Sequence, residues 1–262
     1  MRLAISVFVI ALNEADRIGQ TVTAARMLSD DVVVVDSGST DGTQAIAESL
    51  GARVIHHDWP GYGAQKRFAQ QQCRHAWVLN LDADEVMSAA LVEEIRATFA
   101  NQDPPADAYR MRIVDVIPGE AKPRPFAYAY NRIRLYRKDK GEFSVSPVHD
   151  VVQMAAGAST RQLDGVVFHF SMRGLGAEIT KFNAYTDALV ADLRARGVAM
   201  PVWRVFVEFP VAFLKAYVLR RHFMGGVYGF LIAMNYAMFR HLRVAKFYEA
   251  ARRARRTGDA SR

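Results

Sequence analysis

One cysteine, Cys73, stands in a chain of 262 residues, so no intrachain disulfide forms and nothing argues for an oxidising compartment. There is no low-complexity tract and no internal repeat of solenoid type. An apolar run of the about 20 residues that a spanning helix needs is also missing. The uncharged stretch from Phe223 to Phe239 is shorter, and Gly225, Gly226, Gly229 and Asn235 interrupt it. Met1-Arg2 ahead of Leu3 to Leu12 has the outline of a short signal peptide, but no small-x-small cleavage site follows and Asn13-Glu14 comes at once. The continuous run reads instead as a first, fully buried strand. Disorder is excluded by a composition of 51% hydrophobic and 23% charged residues. The net charge of +7 suits an anionic partner, whether nucleic acid, a membrane surface or a phosphorylated substrate.

What is present alternates strand and helix. Ile5–Leu12, Val32–Asp36, Arg53–His57 and Trp77–Leu81 read as strands, with helices over Ala15–Leu28, Asp41–Leu50 and Ala64–Cys73 between them. Gly51 is placed to stop the second helix, and Ser88 to cap a later one that lines up Leu91, Ile95 and Phe99. This order predicts an α/β fold with a mostly parallel sheet covered on both faces. Beyond Asn101–Pro105 the pattern changes. Tyr109, Met111 and Ile113 alternate with polar neighbours, as do Ile133, Leu135 and Arg137, which predicts mixed or antiparallel strands. Gly165–His169 is a further short strand. A helix over 177–196 points Ile179, Phe182, Leu189 and Leu193 inward and stops at Gly197. Three segments follow from this, 1–104, 105–200 and 201–262. The last is aromatic and aliphatic and ends in Arg240, Arg243, Lys246, Arg252, Arg253, Arg255 and Arg256 against Glu249 alone. It reads as an interfacial membrane anchor, with a buried helical cap and solvated tail as the alternative. No nucleic-acid-binding motif accompanies the basic residues, so a nucleic-acid partner is not expected.

Two strand ends carry the chemistry. Val78-Leu79-Asn80-Leu81-Asp82-Ala83-Asp84-Glu85 is an apolar run that ends in three carboxylates. Val32 to Asp36 followed by Ser37-Gly38-Ser39-Thr40-Asp41-Gly42-Thr43 repeats the plan. Ligands bind at the carboxyl ends of strands in open α/β sheets. Two aspartates separated by one residue can put hard oxygen ligands on a divalent cation that also grips phosphates, although a solvated acidic turn looks the same.

These stretches, in this order and preceded by Val9-Ile10-Ala11-Leu12-Asn13-Glu14, resemble family 2 glycosyltransferases of GT-A (Rossmann-like) fold. Gly61 to Arg67, Arg134-Leu135-Tyr136-Arg137 and Val148-His149-Asp150 resemble the branch that includes the lipopolysaccharide-core β-1,4-glucosyltransferases. In that branch the His is more often followed by Glu, so Asp150 is a departure. The resemblance implies an inverting enzyme that uses a UDP-sugar and Mg²⁺ or Mn²⁺. A glycolipid such as lipopolysaccharide core is the implied acceptor and the cytoplasmic face of the inner membrane the implied location, peripheral or monotopic. A polyprenyl-phosphate acceptor and a non-catalytic nucleotide-sugar-binding protein are the alternatives.

The resemblance also implies residue roles, each beside a plainer reading. Asp36 accepts from uracil N3–H, or merely closes a turn. Ala11, Asn13 and Glu14 border base and ribose, though Asn13 can cap and Glu14 can complement the helix dipole. Asp84 ligates the metal, Asp82 reaches the ribose or the metal shell, and Glu85 supports the metal's ligands from behind or is an exposed acid. Lys66 and Arg67 reach diphosphate or uracil, or lie on a solvated helix face. Asp150 is the base, with Glu142 as substitute, and His149 orients the acceptor. His169 is an additional metal ligand or a structural strand-end histidine, and Lys181 a phosphate contact or a surface lysine.

Overall fold

The computed structural model describes residues 3–100, 104–144 and 151–259. Two compact units emerge, one of Met1–Asp115 with Ala129–Ser171, the other of Val116–Tyr128 with Met172–Arg262.

The first unit is built on an eight-stranded sheet. Its strands are β1 (Leu3–Ala11), β2 (Ser29–Asp36), β3 (Arg53–His56), β4 (Trp77–Asp82), β5 (Glu85–Met87), β6 (Ala108–Asp115), β7 (Ala129–Arg137) and β10 (Thr160–His169), in the order β3-β2-β1-β4-β7-β6-β10-β5. A separate hairpin pairs β8 (Gly141–Phe143) with β9 (Val152–Met154). Strands β3, β2, β1 and β4 run parallel, β7 is antiparallel to both neighbours, β6 and β10 are parallel, and β5 returns antiparallel to β10. The mostly parallel sheet expected from the strand–helix alternation is therefore present, as are the mixed strands expected after residue 104.

Continuous apolar runs are what a sheet covered on both faces requires. Along β1, Ile5, Val7 and Val9 enter one core with α1 (Ile18–Leu28) and α4 (Ala89–Thr98), supplied by Val22, Leu28, Leu91 and Ile95. Phe8 and Ile10 enter the opposite core with Ala69 of α3 (Tyr62–Gln71), Cys73, Tyr136, Phe143 and Val152. Cys73 is buried there, and burial pushes its thiol up to about 12. Ser88 caps α4, its Oγ accepting from Leu91 N at 3.2 Å. Gly51, at φ 82°, stops α2 (Thr43–Ser49) as expected. Gly165 has a different reason: a Cβ there would lie 2.5 Å from Leu91 Cα, so only glycine lets β10 pass this close to α4.

The second unit is helical, with α5 (Leu175–Ala195), α6 (Arg204–Leu214), a π turn over Lys215–Leu219, a 3-10 turn over His222–Gly225 and α7 (Gly226–Asp259). Gly197 (φ 65°) ends α5 where the sequence placed the stop. Ile179, expected inward, is exposed: it lines a shallow pocket of 180 Å³ with Phe182, Met238, Phe239 and Leu242. Among the described residues no helix is long and apolar enough to cross a membrane.

Candidate active site

Strand register gathers the expected residues at one edge of the sheet. Ala11 pairs with Asp36 across β1 and β2, and Ile10 pairs with Asp82 across β1 and β4. On the other side of β4's end, His169 faces Asp115 in β6 and Glu85 in β5. Reversal of the chain through Ala83-Asp84 thus brings the acidic turn against the end of β10, and Phe170 N donates to Asp84 O at 2.8 Å. Thr21 of α1 fixes the same turn by donating to Ala83 O at 2.9 Å.

The loops after β1 and β2 are stitched together. Asn13 N donates to Ser39 Oγ (2.8 Å), Asn13 Oδ1 accepts from Thr40 N (2.9 Å), Glu14 N donates to Thr43 Oγ1 (2.8 Å) and Ala15 N donates to Asp41 Oδ2 (3.0 Å). Asn13 holds a left-handed backbone (φ 55°), which asparagine tolerates. Asp36 is fully buried, and its Oδ1 accepts from Gly38 N, Ser39 N and Gln44 Nε2 at 2.9, 2.8 and 2.6 Å, while Ser39 Oγ donates to Oδ2. Burial opposes ionisation, but these donors outweigh it and hold the carboxyl below its ordinary value. Asp36 therefore closes its own turn, and its Oδ2, with one donor from Ser39 Oγ, keeps a lone pair for a second donor. Asp41 accepts from Thr43 N at 3.0 Å, while the residue capping α2 is Gly42.

Glu14 lies ahead of α1, and its Oε2 accepts from Arg17 Nε at 2.9 Å. Arg17 continues to Asp84 Oδ2 (3.3 Å) and Phe170 O (3.0 Å). The other oxygen of Asp84, Oδ1, lies 3.6 Å from His169 Nε2, and the opposite ring nitrogen, Nδ1, lies 2.9 Å from Asp115 Oδ1. Burial opposes a charge on His169, yet the Asp115 hydrogen bond and the nearby carboxylates push its pKa up to about 9.

Asp82 faces the other way. Lys66 Nζ is 2.6 Å from its Oδ1 and Arg134 Nη2 is 3.0 Å from its Oδ2. Burial disfavours the charge, but these two cations hold the carboxyl far below its usual range. Arg134 also contacts Asn80 Oδ1 and Glu85 Oε1, and Glu85 accepts from Asp82 N at 3.0 Å. Glu85 is fully buried, which corrects its reading as an exposed acid, and burial beside Asp82 raises its pKa. Lys66 is 1% exposed, so the solvated-face reading fails for it. Arg67 instead donates to Phe143 O at 2.7 Å and pairs with Glu142 at 2.9 Å. His149 and Asp150 lie outside the described residues, as does the side chain of Lys181. Arg17, Asp115 and the burial of Arg134 were not singled out in the sequence; only the quoted Arg134–Arg137 stretch pointed toward any of them.

A sheet of this order, with carboxylates gathered at its strand ends, is of GT-A-like fold. Residues 6–157 match the family model described as "Glycosyl transferase family 2", and the chain belongs to that family and is a glycosyltransferase. It is 38% identical to a protein of Rickettsia felis described as an uncharacterized glycosyltransferase, over 94% of this chain and 90% of that one. It is 30% identical to the lipopolysaccharide core biosynthesis glycosyltransferase LpsC of Rhizobium meliloti, over 95% of this chain and 93% of that one. Among solved structures, S. aureus TarS 1–349 is similar over 90% of this chain and 89% of that chain, at 15% identity and a TM-score of 0.46.

Proposed function

We propose that the protein is an inverting, divalent-cation-dependent glycosyltransferase that moves a sugar from a UDP-sugar to a glycolipid of the lipopolysaccharide-core type, at the cytoplasmic face of a bacterial inner membrane. Membership of family 2 and the name of the Rhizobium relative support the reaction class and the acceptor. The observation that carries cation dependence is the charge balance at the strand ends. Five carboxylates, Glu14, Asp82, Asp84, Glu85 and Asp115, meet the cations Arg17, Lys66 and Arg134 and the His169 imidazole there. A diphosphate brings more negative charge than these groups offset, which favours a further cation.

The residues fit a hard cation. Asp84 Oδ1 and His169 Nε2 face each other at 3.6 Å, and Asp115 orients the imidazole through Nδ1, the usual support for a ligating histidine. Among the described residues no cluster of three or more His, Cys, Asp or Glu side chains forms a cation cage. Mg²⁺ commonly takes one or two carboxylates and completes its shell with phosphate oxygens and water. Asp84 and His169 would hold the ion, with Asp82 supporting the site through Lys66 and Arg134. When bound, the cation neutralises charge on the departing diphosphate.

The protein's own groups do the rest. The stitched loops after β1 and β2 present Ala11, Asn13, Glu14 and Asp36 to base and ribose. Lys66 and Arg67 are the phosphate contacts that the resemblance implies, and Arg17, which bonds Asp84, is a further candidate. An acceptor hydroxyl oxygen attacks the anomeric carbon opposite the leaving group, the bond from that carbon to the diphosphate oxygen breaks, and its electron pair leaves with UDP. Asp150 takes the hydroxyl proton, a role assigned by resemblance.

A panel of UDP- and GDP-sugars, with and without Mn²⁺, tests the reading. Metal-dependent release from a UDP-sugar is expected, and Asp84→Ala should lower turnover by at least about a hundredfold. Asp150→Asn should keep donor binding and stop transfer. Folded protein that releases sugar from no donor, in either metal condition, overturns the proposal. A polyprenyl-phosphate acceptor is distinguished by assaying both acceptor classes with the active donor.

A further inference from the structure

The helical unit is inside out for a body surrounded by water. The faces that α6, the π turn and the first half of α7 turn toward the interior carry small residues: Ala212, Ala216, Ala233 and Ala237 are buried, with Val244 further along α7. Gly229 permits an equally close approach, since a Cβ there would lie 1.8 Å from the carbonyl oxygen of His222. Large apolar side chains point outward instead. Trp203, Phe206 and Leu214, with Pro210 between them, recur at intervals of three and four residues along one face of α6, and Phe206 is 76% exposed. Val218 and Leu219 continue the exposed surface through the π turn, and Val227, Phe230, Leu231 and Met238 extend it along α7.

Water drives large apolar groups inward, so this many exposed large apolar side chains on neighbouring helices mark an interface. Small residues at the helix contact and large ones outside is the pattern expected where lipid removes the hydrophobic drive between helices. A protein partner explains the exposed stripe but not the small-residue contact behind it.

Charge selects the lipid. Residues 201–262 contain twelve Lys and Arg against three Asp and Glu, while residues 1–200 contain 22 against 24, so the excess of positive charge lies wholly in this segment. Part of it is held in place. Glu208 is buried and shared by Arg204 (2.7 Å), Arg240 (2.7 Å) and Arg243 (3.4 Å), and Arg243 Nε has no hydrogen-bond partner among the described residues. One carboxylate cannot saturate three guanidinium forks. Arg220 lies between the rings of Tyr128 and Tyr236, 4.7 and 4.5 Å from their centroids, a pairing of aromatic and cation suited to a headgroup layer.

We propose that α6, the turns after it and the first half of α7 form an in-plane docking surface for an anionic bilayer. The Trp203–Leu219 stripe sinks into the acyl boundary, and the arginine layer around Glu208 takes lipid phosphate oxygens. The absence of a helix long and apolar enough to span, among the described residues, is consistent with a surface that lies in one leaflet. The proposal deepens the membrane part of the proposed function and rests on it, but its test does not pass through sugar transfer.

The test is co-sedimentation of the full chain with phosphatidylcholine vesicles, with and without phosphatidylglycerol. Binding is expected to anionic vesicles and to weaken when salt is raised from about 0.1 M to about 0.5 M. Phe206→Ser with Leu219→Ser should lower it by at least about tenfold, because burial of each side chain contributes on that order. Arg240→Gln should lower binding to the anionic vesicles by about fivefold and leave the residual binding to neutral vesicles unchanged. Unchanged circular dichroism melts and unchanged UDP binding in the presence of Mn²⁺ show that the variants are folded. Donor hydrolysis should persist in all of them, so failure of docking and failure of the glycosyltransferase reading give different results. Equal binding of both vesicle types, no effect of the paired serine substitution, or a dimer that dissociates on that substitution while no vesicle is bound, each overturns the proposal.

Discussion

Asp31 is a charge placed in the interior for the fold alone. Its Oδ2 accepts from Ser6 Oγ (2.6 Å) and Arg74 N (2.9 Å), and its Oδ1 accepts from Arg53 Nε (3.0 Å) and Nη2 (2.9 Å). Burial opposes the charge, yet these donors hold the carboxyl below its ordinary value. A depressed folded pKa gives stability that is complete above the unfolded value of about 3.9 and is lost as pH falls through the folded one. Asp31→Asn should therefore cost about 2 kcal/mol near neutral pH, and the gap from the wild type should start to narrow only below about pH 4, as read by urea melts across pH. At this scale the sequence was legible at the strand ends. Asp36, Asp82 and Asp84 stand at the ends of apolar runs and meet at one sheet edge. Lys66, Arg134 and Asp115 were not legible in this way, because their meaning lies in partners far along the chain. Nothing beside Lys66 announces that its ammonium is buried against Asp82, sixteen positions later. Arg134 sits in an alternating strand that gave no cue to its burial.

Among the elements, long runs were readable and three-residue strands were not. β1, β2 and β4 announce themselves because a sheet covered on both faces demands unbroken apolar sequence. β5, β8 and β9 have only three residues each, too short to display a period, and β5 was hidden inside what reads as an acidic turn. Its pairing with β10 is nevertheless what sets His169 opposite Glu85. β10 also begins at Thr160, earlier than the Gly165 start expected, because its first half is polar and exposed. Gly165 marks where that strand passes the start of α4, within 2.5 Å of Leu91 Cα for any added Cβ. Gly165→Ala should lower stability by about 2 kcal/mol, since backbone rather than a flexible side chain must yield. A shifted urea midpoint with an unchanged slope would show it, and a midpoint equal to the wild type would refute the close packing.

For the whole molecule, a cation held by Asp84 and His169, as proposed, implies linkage between cation and nucleotide. An ion held by so few side chains depends on diphosphate oxygens to complete its shell. Mn²⁺ and UDP together should therefore raise the melting temperature by more than the sum of their separate shifts. Each should also strengthen the other's binding by at least about tenfold, measurable by titration calorimetry in both orders of addition. Additive shifts would mean that the two ligands bind independently.

The division of the chain bears on how it can be taken apart. Val116–Tyr128 lies in sequence between β6 and β7 but belongs to the helical body, so the backbone passes from one body to the other at three places rather than one. Deleting everything after Ser171 would orphan those thirteen residues. A minimal catalytic fragment must splice β6 directly to β7 with a short designed turn, and a chimera that exchanges the helical body must exchange both pieces together.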